Sequence, residues 1–422
     1  MQYFNTMRVI NTVIFIALLL FCAGSHIAMY LTKYSLSDSA LFAQQTNSTV
    51  MYTYILIAMA LLSFISLNIF RIKHCCTEVI LMYVYMFYAF MCLVLNISFY
   101  PDIKSIGTTL VFAFIPPALF ISFYYLGREN FIKEKYILGF FLILFLYETI
   151  LLKQSGISAT MYVDKMFLST RMYYTFLLIP WLYCYRNNIV VITLTFISFL
   201  TIVYGNERAA FLAIAVGLFL YTIIRYYIIE NNKIIYFITP IFLIALIYSA
   251  FYLLDTSYIL ERFKSLEEDA GSGRAFLWPY IINHSFTTGT LEIFIGHGGY
   301  FSTERIVGTY AHNDYIQALY DYGIFGVAIL ITLLFLAIYR CWNMIKLRYE
   351  WGPAFAVFLS LFLIIGCTND VYFRHIQSFG IFSFWGYALG RFQNATTQKK
   401  QFFDLNIRNK LIQNRTTLVR YE

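Results

Sequence analysis

Residues 271–326 read GSGRAFLWPYIINHSFTTGTLEIFIGHGGYFSTERIVGTYAHNDYIQALYDYGIFG, and Arg274, His284, His297, Arg305, His312 and Asp314 gather there among glycines and aromatic residues. Outward from this stretch in both directions the character inverts. Apolar runs of about 17–25 residues recur along the chain, the length a helix needs to cross about 30 Å of hydrocarbon at 1.5 Å per residue. The polar stretch is therefore the exception that a membrane-embedded chain makes for chemistry.

Composition agrees. Of 422 residues, 60% are hydrophobic and only 12% charged, with a mean hydropathy of +0.67, whereas soluble domains carry about a quarter charged residues. Alternation of period two, the mark of an outer-membrane strand, is absent, so the spans read as helices. The net charge of +8 does not indicate a nucleic-acid partner, because the basic residues are scattered through short loops and a tail. The cysteines form no CxxC or zinc spacing, and those inside apolar runs (Cys22, Cys92, Cys184, Cys367) read as small buried hydrophobes.

The expected fold is an all-α polytopic membrane protein of about twelve transmembrane helices, with a large periplasmic loop containing short helices. Residues 1–254 hold about nine spans, the first of them an uncleaved N-terminal run rather than a signal peptide. Residues 255–313 form the large outer loop, 314–392 hold about three more spans, and 393–422 make a basic cytoplasmic tail. With both termini inside, about 19 of the 30 basic residues fall on the cytoplasmic side, as the positive-inside rule demands. Segment 255–313, the GNER turn that ends in Arg208 and the loop at 369–375 then share the outer face.

Arg208, in YGNERAAFL, follows so short a turn that its guanidinium must act near the outer headgroup plane, on headgroups or in a polar cavity. Arg274, in GSGRAFLWPY, follows two glycines and opens an aromatic segment suited to an interfacial helix. Two arginines at one depth suit phosphate, since each can donate a bidentate fork to anionic oxygens. His312, in TYAHNDYIQALYDYGIFG, stands just before a helix for which Asn313 or Asp314 would be the N-cap. The dipole and the neighbouring arginines favour its neutral form, able to take a proton, and the helix end offers N–H groups toward an anion. His297 in IGHGGYFS, Arg305, Asn313 and Asp314 are second-rank candidates, with His297 in a shaped glycine turn. Glu148 is a carboxylate placed within a span near its outer end, where pairing with an outer arginine and an unpaired or protonated structural role are equal readings. Glu267, Glu268 and Asp269 could bind a metal but read rather as a solvated acidic loop.

At these residues the sequence resembles the O-antigen ligase and O-antigen polymerase superfamily of bacterial envelope glycosyltransferases. The resemblance runs from about Tyr204 to about Phe325 and is carried by NERAAFL, GSGRAFLW, and GHGGY followed by AHNDYIQALYDYGIFG. It implies a metal-independent, cofactor-free glycosyltransferase of the bacterial inner membrane that takes an undecaprenyl-pyrophosphate-linked oligosaccharide as donor. Arg208 and Arg274 would hold the pyrophosphate and His312 would orient or deprotonate the acceptor hydroxyl. The implied partners are that lipid-linked glycan, membrane lipid and a chain-length regulator protein, with no nucleic acid.

Polymerase and ligase differ in acceptor: another lipid-linked repeat unit for the first, lipid A core for the second. The aromatic, Ile/Tyr/Asn-rich composition and the AHNDY…YGIFG form resemble polymerases more. A flippase for lipid-linked oligosaccharide is the alternative from another class. It would place ionisable residues and broken helices near mid-membrane, whereas the candidates here lie at the boundary.

Overall fold

The computed structural model describes residues 76–99, 103–130, 133–139, 142, 180–181, 184, 208–229, 248, 273–299, 311–368 and 380–398, and among these every regular element is helical. In chain order the longer ones are α1 (Thr77–Leu95), α2 (Ile103–Arg128), α3 (Arg208–Thr222, continuing in π-helical pitch over Ile223–Ile229), α4 (Arg274–Thr287), α5 (Thr290–Ile295), α6 (Asp314–Lys346) and α7 (Gly352–Thr368). A last helix, α8, covers 380–398. The first expected span, those near 50–70 and 189–204, all but a few residues of those near 136–152, 171–185 and 234–254, Glu148, and the tail beyond 398 lie outside the described residues.

Two of these helices, Thr77–Leu95 and Asp314–Lys346, are long and apolar enough to cross a membrane by length and composition. The reason lies in what they expose. Along α1, Ile80, Val84, Phe87, Met91 and Val94 form one helical stripe that faces outward, with Phe87 68% exposed. On α6 the outward stripe is Ile324, Ile331, Phe335, Ile338 and Trp342, with Phe335 at 66% and Trp342 at 65%. Helices apolar on both faces bury one against protein and give the other to hydrocarbon.

The inner faces pack head to tail. Glu78 near the start of α1 pairs with Arg340 near the end of α6, at 2.5 and 3.2 Å, while Tyr88 further along α1 reaches the Tyr322 carbonyl. These two helices therefore run antiparallel. So do α6 and α7: Gly352 lies beside Met344 and Ile345, and Gly366 beside Asp314 and Tyr315. Asp314 and Arg340 are 26 residues apart, roughly 39 Å of helix at 1.5 Å per residue, which puts them at opposite ends of the bundle.

A close backbone contact joins α2 to α8, which run parallel. Gly386 of α8 sits against the Phe120 backbone, Gly390 against Tyr124 and Arg128, and Gly127 of α2 against the Tyr387 carbonyl. A Cβ at any of the three would overlap main-chain atoms, so the small-xxx-small spacing of Gly386 and Gly390 lets two backbones touch. Around that seam Phe120, Phe123, Trp181, Trp351, Phe358, Phe384 and Trp385 pack ring on ring.

Candidate active site

Helix α4 begins directly after Gly273, which has φ +78, a value glycine adopts without a Cβ penalty. Its inner face carries Ile281 and Ser285, both buried, and its outer face leaves Phe276, Tyr280 and Phe286 exposed. Ile281 packs with Ala311 and Tyr320, and the Trp278 indole Nε1–H donates to the Ala311 carbonyl at 2.8 Å. Arg274 lies four residues before Trp278, hence on the same helix face with roughly 5–6 Å between Cβ atoms. The docking of α4 thus carries Arg274 to the end of α6 where His312 stands.

That end is closed by a side chain. Asn313 is the N-cap of α6, its Oδ1 accepting the Tyr315 and Ile316 N–H groups at 3.0 and 3.1 Å, and its Nδ2 donating to the Cys367 carbonyl of α7 at 3.0 Å. The expectation that this helix end offers its N–H groups to an anion fails for Tyr315 and Ile316, because the cap has already taken them. Asp314 is buried against Gly366, and a carboxylate in the first turn further satisfies the dipole. Asn313 and Asp314 are therefore parts of the helix start.

His312 has φ +50, the left-handed region, which costs a non-glycine residue roughly 1–2 kcal/mol. Its neighbours are anchored on both sides. Ala311, fully buried, donates its N–H to Gln317 Oε1 at 3.0 Å, and Gln317 Nε2–H donates to Asp321 Oδ2 at 2.7 Å.

Nine residues into α6 the helix breaks at Gly323, with φ 63 and ψ −165. The carbonyls released there are met from two sides. Tyr320 accepts the His297 N–H at 3.0 Å and Asp321 the Gly298 N–H at 3.0 Å. Tyr322 accepts the Tyr88 hydroxyl at 2.7 Å. The His297 ring also bonds the Tyr320 carbonyl through Nδ1, at 3.1 Å. A carbonyl can only accept, so Nδ1 carries the proton and Nε2 is the bare nitrogen of the neutral ring. Burial, followed by the nearby His284, pushes the His297 pKa down, against an upward push from its backbone bond.

The glycine turn expected around His297 is thus present as the cap of a broken helix. Arg274 and His312 are brought to one end of the bundle. Arg208 is the first residue of α3, its side chain lying outside what the structure describes, and Arg305 lies outside the described residues. Among the described residues no group of three or more His, Cys, Asp or Glu side chains could hold a metal ion. Sequence reasoning passed over Trp278, Gln317, Asp321, Gly323 and Tyr88. Gln317 and Asp321 had a usable signal, being two polar residues one turn apart in the first half of a largely apolar helix.

Among the described residues, an all-helical arrangement with apolar outer stripes and a polar, histidine-flanked helix end under a docked loop helix is that of a membrane protein. Residues 193–331 match the family model described as O-Antigen ligase, which supports the O-antigen ligase and polymerase superfamily. That segment contains Arg208, Arg274, His297, Arg305 and His312, with both the docked helix and the break at Gly323. No curated protein matches the chain.

Proposed function

We propose that the chain is a surface-polysaccharide polymerase that transfers a glycan from undecaprenyl pyrophosphate to a sugar hydroxyl of another lipid-linked repeat unit, at the periplasmic face of the inner membrane. The observation that carries this reading is the docking of α4 on the start of α6 through Trp278 and Ala311, which brings a guanidinium and an imidazole to one end within the matched family segment. In the proposed reaction the acceptor hydroxyl attacks the anomeric carbon of the donor glycan. The bond from that carbon to the pyrophosphate oxygen breaks, and the hydroxyl proton passes to His312 Nε2 or Nδ1. Arg274 and Arg208 neutralise the charge that builds on the departing pyrophosphate, the term usually largest in such transfers.

Arg208 joins them if α3 and α7 run antiparallel, as the pattern of basic residues expects. Gly217 of α3 faces Val357 and Ser360 of α7. Nine residues back from Gly217 is Arg208, a climb of about 13–14 Å, and the same climb along α7 arrives beside Cys367, whose carbonyl holds the Asn313 cap.

The test is the glycan ladder of a host carrying Arg208→Ala, Arg274→Ala or His312→Ala. Each is expected to abolish elongation while the protein still inserts and single repeat units still reach the outer face. For His312 the expected loss is about 10²–10⁴-fold. Lipid A core bearing one repeat unit identifies a polymerase. Long chains stranded on undecaprenyl pyrophosphate would identify the second reading, a ligase acting on lipid A core. Loss of repeat-unit export would point to a flippase instead.

A further inference from the structure

We infer that Gln317, backed by Asp321, is a positioning residue that holds His312 in its left-handed conformation; this rests on the role just proposed for His312. A histidine at φ +50 stays there only while its surroundings over-determine the backbone. Two peptide groups flank it. The one after His312 belongs to Asn313, whose side chain ties α6 to α7. The one before carries the Ala311 carbonyl, which accepts from Trp278, and the next peptide back carries the Ala311 N–H, which donates to Gln317, so Ala311 is held on both sides of its Cα. Gln317 thus reaches back past the cap to a residue six positions earlier.

The chemistry of the relay explains why an amide stands there. Gln317 and Asp321 are both fully buried, where an unmatched polar group would be costly. The Gln317 amide must accept from Ala311 at one end and donate at the other. Asp321, one turn on at 2.7 Å, receives that donation and prevents the amide from turning over, since an inverted amide would face N–H with N–H at one end and oxygen with carboxylate at the other. The carboxylate thereby fixes the orientation of Gln317, Gln317 fixes Ala311, and Ala311 with Asn313 fixes the direction of His312. Trp278 couples the same residue to α4 through its carbonyl, so the imidazole and the helix bearing Arg274 are registered to one another through Ala311.

The experiment uses the full chain in liposomes, with lipid-linked repeat units extracted from a host lacking it. Gln317→Met keeps the volume and removes both hydrogen bonds; Asp321→Asn keeps an acceptor and removes the charge. The expected result is a fall in kcat of about ten- to a hundredfold for Gln317→Met, the scale of a small misplacement, with KM for the lipid-linked donor within about twofold. Asp321→Asn should fall between that variant and the unaltered chain. Amide hydrogen exchange across residues 311–313 should speed up in Gln317→Met, while exchange in α7 stays the same. An unchanged kcat for Gln317→Met, with His312→Ala inactive, overturns the inference. So does a loss in which KM rises and exchange at 311–313 is unaltered. If His312→Ala itself retains transfer, the catalytic reading of His312 is what fails, and the exchange measurement then decides whether Gln317 holds the segment at all.

Discussion

The ring of His297 lies flat on that of Tyr320, with 4.2 Å between centroids and 2° between planes, while its Nδ1 bonds the Tyr320 carbonyl. One residue thus covers a side chain and caps a broken helix at the same time. Because burial lowers the His297 pKa below its usual 6.5, the unfolded turn takes up a proton first as pH falls. The stability of this turn should therefore be complete above about pH 6.5 and decline below it, towards the lowered pKa. Amide exchange over residues 290–299, corrected for intrinsic rate, should rise on acidification, and His297→Gln should remove that dependence.

Gly323 should tolerate no side chain. Its φ of 63 already strains any other residue, and a Cβ there would overlap the Phe294 carbonyl and crowd the Gly296 nitrogen. Gly323→Ala is expected to separate α5 from α6 and expose the 290–299 turn to limited proteolysis, with stability lower by about 1–3 kcal/mol. Cleavage at the unaltered rate would show that the break is not held from outside.

At the other end of α6, Glu78 is fully buried beneath Arg340, whose side chain is 21% exposed. Removing one partner strands the other, so Arg340→Ala should cost towards the lower end of about 3–5 kcal/mol. The melting temperature in detergent should drop for Arg340→Ala and for Glu78→Ala. The double variant should drop by less than the sum, because no unpaired charge remains.

Gly386→Val and Gly390→Val should each force α8 away from α2, since both glycines touch α2 backbone. Loss of folded protein from detergent extracts is the expected outcome for either. Substitution of the exposed Phe335 by leucine should leave the yield unaltered, since that position faces outward.

Much of this was legible in the sequence because it is local. Helices near 78–99, 107–127, 209–229, 315–339 and 353–368 follow from apolar run length, and they stand at Thr77–Leu95, Ile103–Arg128, Arg208–Ile229, Asp314–Lys346 and Gly352–Thr368. That Asn313 or Asp314 caps α6 follows from residue type and position alone, and the structure chooses Asn313. The glycine turn at 296–299 was visible as a turn, but what it turns around was not.

What the sequence by itself determined is an apolar helical chain with one polar stretch that holds the residue types proposed above for glycan transfer. Hydrophobic period and capping depend on neighbours a few positions away, so a linear reading reaches them. Tertiary structure alone decided that Trp278 finds Ala311, that Tyr88 finds Tyr322 across more than two hundred residues, and that α6 is two helices joined at Gly323. Those contacts exist because buried carbonyls and amides must be paired wherever the packing of helices happens to release them, and which groups are released is set by the bundle as a whole.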